Sequence, residues 1–449
     1  MPIASAILLH RTSHREISDG QSADHNFDFR QPLTSANGAL ASLAICAAIL
    51  TILPGAQAQT YHVLYTFSGG ADGNAPDSGV IADGSGTVYG VSAGGGSHNC
   101  AGGCGTVFRL TNHGSGWTFA TLYSFQGEPD GYLPVGLIKG PDGSLYGATL
   151  AGGQGGPNSC CGTVFNLRPP ATFCRSVSCP WNETVLYRFQ GVEYGDGSSP
   201  VNGAFAFDSA GNLYGTTAEG GTYPYGTVFK MTHSQSGWTE ATLYSFNGAG
   251  SSGWGYPETG PLLDHSGNIY GTTTLQSGAV YELSPSGSGW TATVLHPFQC
   301  SGVDGCNPGG LIQDASGNLY VGTASGGVDG GGTADELLAS QGWSLNTLVS
   351  FSGGGGSGPQ GTLVTDAAGN LYGATDAQGT FGAGTVFKLT PSAGGWTMNV
   401  LYNFTGGADG GYPVSGVVID ANGNIFGTTN AGGSGICQRG CGVVWEITP

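Results

Sequence analysis

Two groups of side chains in this sequence have the types and spacing that chemistry needs. The first interleaves aromatics with acids: Tyr223, Tyr225, Trp254 and Tyr256, with Glu219 and Glu258 beside them. Such rings can cover the apolar face of a sugar while carboxylates accept its hydroxyls, which suits glycan binding. Packing within a loop is the plainer use of the same rings. The second group is an Asp-Gly pair that recurs at Asp72, Asp130, Asp196, Asp304 and Asp409. Asp-Gly is a turn signal, and five carboxylates around one axis would also offer a divalent cation a ring of oxygens. Nothing resembles a catalytic signature: there is no G-x-S-x-G, no H-E-x-x-H and no Walker loop. His296 and Asp335 each replace an aromatic of sister segments, and a carboxylate on such a strand needs a partner or water.

The cysteines point to the compartment. After residue 58 they fall in close couples: Cys100/Cys104, Cys160/Cys161, Cys174/Cys179, Cys300/Cys306 and Cys437/Cys441. Local pairing in even number suits disulfides in an oxidising space. Zinc is the rival use, and it favours C-x2-4-C couples with further ligands close by. The adjacent Cys160 and Cys161 would make a strained vicinal bridge. Upstream, Arg11, Arg15 and Arg30 precede an apolar run from Ala39 to Leu53, and Ala56 and Ala58 make an A-x-A pattern. This reads as a secretory leader over residues 1–58, with a long basic region and cleavage after Ala58. The run is shorter than the roughly 20 apolar residues of a membrane span. The expected location is therefore outside the cytoplasm, extracellular or periplasmic. Without residues 1–58 the chain has 8 basic and 25 acidic side chains, a net charge of −17. Such a surface repels nucleic acid and anionic membranes.

The elements that must position these residues are written as a repeat. "GNLYGTT" at 211–217 has close copies at 86, 143, 267 and 369 and weaker ones at 317 and 423. The aromatic of this motif stands at 89, 146, 214, 270, 320, 372 and 426, a period of about 56. Each unit runs W-T-x3-L-Y-x-F, a Gly-Asp loop ending in Pro, G-x-L-I-x-D, G-N-L-Y-G-T-T, a Gly loop, and G-T-V-F-x-L-T. The four runs are short, β-branched or aromatic, and bounded by turn residues, which predicts strands. Four strands per repeat, seven times, predict a seven-bladed, all-β propeller over residues 59–449. By analogy with other propellers, G-x-L-I-x-D is innermost and W-T-x3-L-Y-x-F outermost. The N-terminal "HVLYTF" at 62–67 should then pair with "GVVWEIT" at 442–448 and close the ring. "DSAGN", "DHSGN" and "DANGN" read as hairpin turns rather than calcium loops. The mid-strand Gly90, Gly147 and Gly215 predict a large side chain facing them from the next blade. The 86 glycines, against an ordinary share of about 7%, sit among regular apolar residues and so do not imply disorder.

The unit L-Y-x-F-x-G-G-x-D-G…G-N-L-Y-G-T-T…G-T-V-F-x-L-T resembles the GloVer-type tandem repeat of choice-of-anchor proteins, over about residues 61–449. The resemblance implies an exported bacterial protein with a variable C-terminal anchor, and it carries over no catalytic residue. No anchor is expected after the last repeat, in which this chain would depart from that pattern.

Strand alternation puts two variable loops of each blade on one face: the loop leading into the innermost strand, and the loop between strands two and three. Function sits preferentially in such loops. The expected activity is non-enzymatic binding of an extracellular glycan or protein by a monomeric scaffold without a cofactor. The alternatives are a polysaccharide-active enzyme using paired carboxylates and a structural envelope protein.

Overall fold

Short strands rich in Val, Tyr, Phe and Thr pair mostly with strands near them in sequence, so every repeat becomes an antiparallel sheet, and the first strand pairs with the last. The computed structural model describes residues 59–153, 161–170, 181–201, 205–249, 254–359 and 361–449. Residues 1–58, the expected leader, and Cys160, Cys174 and Cys179 lie outside the described residues. Seven sheets follow one another around a ring, each in the order inner, second, third and outer strand. We number the blades I–VII by their inner strands, which begin at Val80, Tyr132, Gly197, Leu262, Gly305, Val364 and Val418. In blade III the inner strand is split, Gly197–Pro200 and Ala206–Phe207, and both pieces pair with the second strand Leu213–Gly220.

Closure occurs where the sequence places it. Thr60–Thr66 is the outer strand of blade VII and pairs with Val443–Thr448, from Thr60↔Thr448 to Thr66↔Val443. The core is not one mass but seven wedges, one at each joint between neighbouring blades. At the I/II joint, Val91 and Val107 meet Leu137, Leu145 and Phe165. At the closing joint, Phe426 and Val444 of blade VII meet Val80, Val88 and Phe108 of blade I.

A second contact recurs at all seven joints. The Gly that opens each G-T-V-F run lies against a Pro in or just before the next blade's inner strand, from Gly105 on Pro134 round to Gly442 on Pro76. A Cβ added at Gly162 would sit 2.6 Å from Pro200 Cδ, and one at Gly442 would sit 2.6 Å from Pro76 Cδ. Real Cβ atoms do not approach so closely, so the Gly and the Pro specify one another. The carbonyl of the same Gly accepts a bond from the Phe that ends the outer strand, as in Phe246 N–H to Gly226 O at 2.9 Å.

The mid-strand glycines correct one expectation. The ring that needs their space comes from the same blade. Gly90 pairs with Phe108 and Gly215 with Phe229, across the ladder between second and third strands. A Cβ at Gly215 would stand 2.5 Å from Phe229 Cζ. Blade V reverses the pair: Val321 takes the glycine position and Asp335 the aromatic one, and the two face each other in register. The larger side chain has changed strands.

Three disulfides close small loops on one face, Cys100–Cys104, Cys300–Cys306 and Cys437–Cys441. Cys161 is also disulfide-bonded.

Candidate functional site

The two variable loops of each blade meet. Isolated bridges join the lead-in loop to the loop between strands two and three: Asn74↔Gly94, Ser357↔Ala377 and Gly411↔Ala431. This is the face on which the sequence places its candidate residues.

The five Asp-Gly carboxylates are held by the protein. The Tyr of L-Y-x-F donates its hydroxyl to the Asp that follows: Tyr65 to Asp72, Tyr123 to Asp130, Tyr187 to Asp196 and Tyr402 to Asp409, at 2.9–3.0 Å. The other oxygen, or the same one, takes a backbone N–H just past the Phe, such as Ser68 N–H to Asp72 at 2.7 Å. His296 Nε2 takes the place of the Tyr hydroxyl, 3.4 Å from Asp304. These are staples that fold the lead-in loop against the preceding outer strand. Burial pushes the Asp72 carboxyl up, but the bonds from Ser68 and Tyr65 outweigh it and leave the group below the usual range. Asp130 is raised, chiefly by burial. Among the described residues, no group of three or more His, Cys, Asp or Glu is disposed to hold a metal.

Trp254 belongs to the same series. Blade IV has no Asp in its lead-in loop, and Trp254 Nε1 donates to Tyr244 Oη at 2.9 Å instead. The indole is 8% exposed and packs edge-on against Phe246 and Tyr281. It therefore supports the loop from within. Tyr225 and Tyr256 lie beside it, half-buried, with ring centroids 5.6 Å apart. Tyr223 is 50% exposed. Glu219 and Glu258 are exposed. Of the six residues expected to form a platform, the loops bring Tyr225, Trp254 and Tyr256 together as packing, while Tyr223, Glu219 and Glu258 face solvent.

The D-x-x-G-N segments are turns. In each, one Asp oxygen caps two backbone N–H groups and the other takes the Asn amide, as at Asp208 with Asn212; where the strand carries Tyr, as at Tyr214, its hydroxyl donates to that second oxygen too, whereas Asp420 faces Phe426 and has no such bond.

A cavity of about 400 Å³ lies where the inner strands converge. Its wall is largely small residues and backbone: Gly79, Gly136, Gly309, Gly310, Gly361 and Gly416, with the hydroxyls of Ser78, Thr259, Thr274, Thr362 and Ser415. Glu258 is the charged side chain in this wall. The cavity falls within the volume range of small-ligand sites.

Three acids stand out, and the sequence singled out only the last of them, Asp335. Glu183, on the outer strand of blade II, is pushed up to about 7 by burial, with the charge of Asp130 adding and Arg188 opposing. Glu240, at the matching place in blade III, is raised to about 7 by burial and then by Asp196. Asp335 is fully buried, bonded to Thr333, and raised to about 6, chiefly by burial. For Glu183 and Glu240 the partner acid lies on the lead-in loop of the same blade, far away in sequence, so no local pattern shows it. An acid raised in the fold keeps its proton where the unfolded chain has lost it. Folded stability is then greatest below the ordinary value of about 4.5 and falls as pH rises to about 7. The melting temperature should be higher at pH 5 than at pH 8. Glu183→Gln with Glu240→Gln should flatten that slope in thermal melts, and an unchanged slope would exclude these two acids as its source.

A family model described as the Gloeobacter/Verrucomicrobia repeat matches residues 44–274 and 274–449. The chain belongs to that repeat family. No curated protein matches it. Among solved structures, this Gloeobacter/Verrucomicrobia repeat chain is similar to two extracellular domains from B. thetaiotaomicron, BT3049 and BT4673, each described as part of a hybrid two component system. Both are 12% identical to it, with TM-scores of 0.51 and 0.52. The matches cover 87% of this chain but 41% and 42% of those chains, so the repeat protein spans less than half their length. At that identity the likeness is one of fold.

Proposed function

We propose that the protein is an exported binding module that meets an extracellular glycan or protein with its loop face, around the mouth of the axial cavity. One observation carries this reading. The acids that recur from blade to blade are bonded to Tyr hydroxyls and backbone N–H groups, so they hold loops in place. The residues left to meet a ligand are those that differ between blades, such as Tyr223 and Glu258, on a rigid ring. The disulfides and the basic, apolar N-terminal segment support export.

The test is binding of the folded protein to arrays of glycans and of short peptides. Glu258→Gln should weaken capture about fivefold without moving the melting temperature, because Glu258 is exposed at the cavity wall. No capture on either array would end the binding reading.

A further inference from the structure

Apolar side chains left in water are unevenly placed on this molecule. Nine large hydrophobic residues are exposed among the described residues, and eight lie on the loop face. The ninth, Val63, is on the closing strand. Tyr194, Val303 and Tyr412 are on lead-in loops; Val328, Phe381 and Ile436 are on loops between strands two and three. Exposure reaches 61% for Phe381, 70% for Val328 and 88% for Ile436. Scattered apolar side chains are ordinary on any surface, but here the tight turns of the opposite face contribute none to this set. Blades V, VI and VII are neighbours, so Val303, Val328, Phe381, Tyr412 and Ile436 form a continuous arc of loops.

The same face has a sign. Its exposed charged residues among the described ones are Glu128, Glu193, Glu219, Glu258 and Asp329, against Arg439. Acids and apolar groups side by side repel anionic lipid and nucleic acid. A second copy of this chain would bring the same charges together. A sugar would be met by flat rings; Phe381 and Tyr412 are such rings, but the other three residues of the arc, Val303, Val328 and Ile436, present aliphatic ends. The chemistry that complements such a face is lysine or arginine mixed with apolar side chains.

We infer that the loop face docks a protein partner whose contact surface combines basic and apolar side chains, with blades V to VII as the apolar half of the site. This rests on the binding reading above and narrows its ligand to protein.

An array of short peptides of randomised composition, run beside a glycan array, tests it. Captured peptides should be enriched in Lys or Arg together with Leu, Ile or Phe, and capture should weaken as salt rises. Phe381→Ser with Ile436→Ser should reduce capture about tenfold at unchanged melting temperature, since both residues are exposed. Glu193→Lys with Asp329→Lys should reduce it comparably and remove the salt dependence. Peptides that are acidic or unbiased would overturn the inference, as would capture that ignores both double variants. Capture of glycans alone would overturn it too, while leaving the binding module standing. Silence on both arrays would end both readings.

Discussion

Deleting residues 59–67 should cost the protein its ring, not merely one strand. Thr60–Thr66 is the outer strand of the last blade and ends in Phe67, which is fully buried. Phe67 donates its N–H to Gly442 O at 3.1 Å and sits in the wedge between blades VII and I. Tyr61 stacks on Tyr402 of blade VI, and Tyr65 on Phe119 of blade I, both with centroids 3.8 Å apart. The strand thus touches both neighbouring blades as well as its own. Loss of one buried Phe costs about 3–5 kcal/mol, and total stability is about 5–15 kcal/mol. The truncated protein should be largely unfolded, or molten with an exposed sheet edge. Chemical denaturation followed by circular dichroism checks this. A midpoint within experimental error of the full protein would show that closure contributes nothing.

Trp254→Ala should be the most damaging single change in the loops. The indole is buried, its N–H is bonded to Tyr244, and its ring touches Phe246 and Tyr281. Truncation removes the packing and leaves the Tyr244 hydroxyl without that donor, so the expected cost is about 3–5 kcal/mol. Tyr223→Ala, a similar loss of area at an exposed position of the same region, should stay within about 0.5 kcal/mol. The comparison is made by denaturant midpoints of the two variants. If Trp254→Ala were as silent as Tyr223→Ala, the loop would not depend on the indole.

Much of the architecture is written in the repeat, because one blade must present the same faces as every other. The four strands of each unit and the Asp-x-x-Gly-Asn turns follow from local pattern, while the strand order, and with it the closing pair 62–67 with 442–448, follows from the analogy with other propellers. Other features needed the third dimension. The partner of Gly215 is set by ladder register, which puts Phe229 opposite it within the blade, and sequence spacing does not choose between that ring and one from a neighbour. The role of Trp254 was legible in principle. Wherever the lead-in loop has its Asp, the preceding strand carries Tyr or His; before Trp254 it carries Tyr244; and Val349 precedes a loop with no Asp. That correlation marks a contact, whereas the cluster of rings taken by itself suggests a binding platform. Glu183 and Glu240 stayed hidden because the acids that raise them belong to another repeat.

The closing strand pair also decides how the domain would answer tension. Thr60 lies opposite Thr448, so the two ends of the described ring leave from one end of a single antiparallel pair. A pull between them loads the hydrogen bonds of that pair one after another, as a zipper is opened, and not all together as in shear. The first rung to part would be Thr60 from Thr448, then Tyr61 from Ile447, with the Trp445 and Phe67 wedges yielding only afterwards. The molecule is thus soft to a pull between its two ends, because the pair that closes the ring is also the pair that opens first.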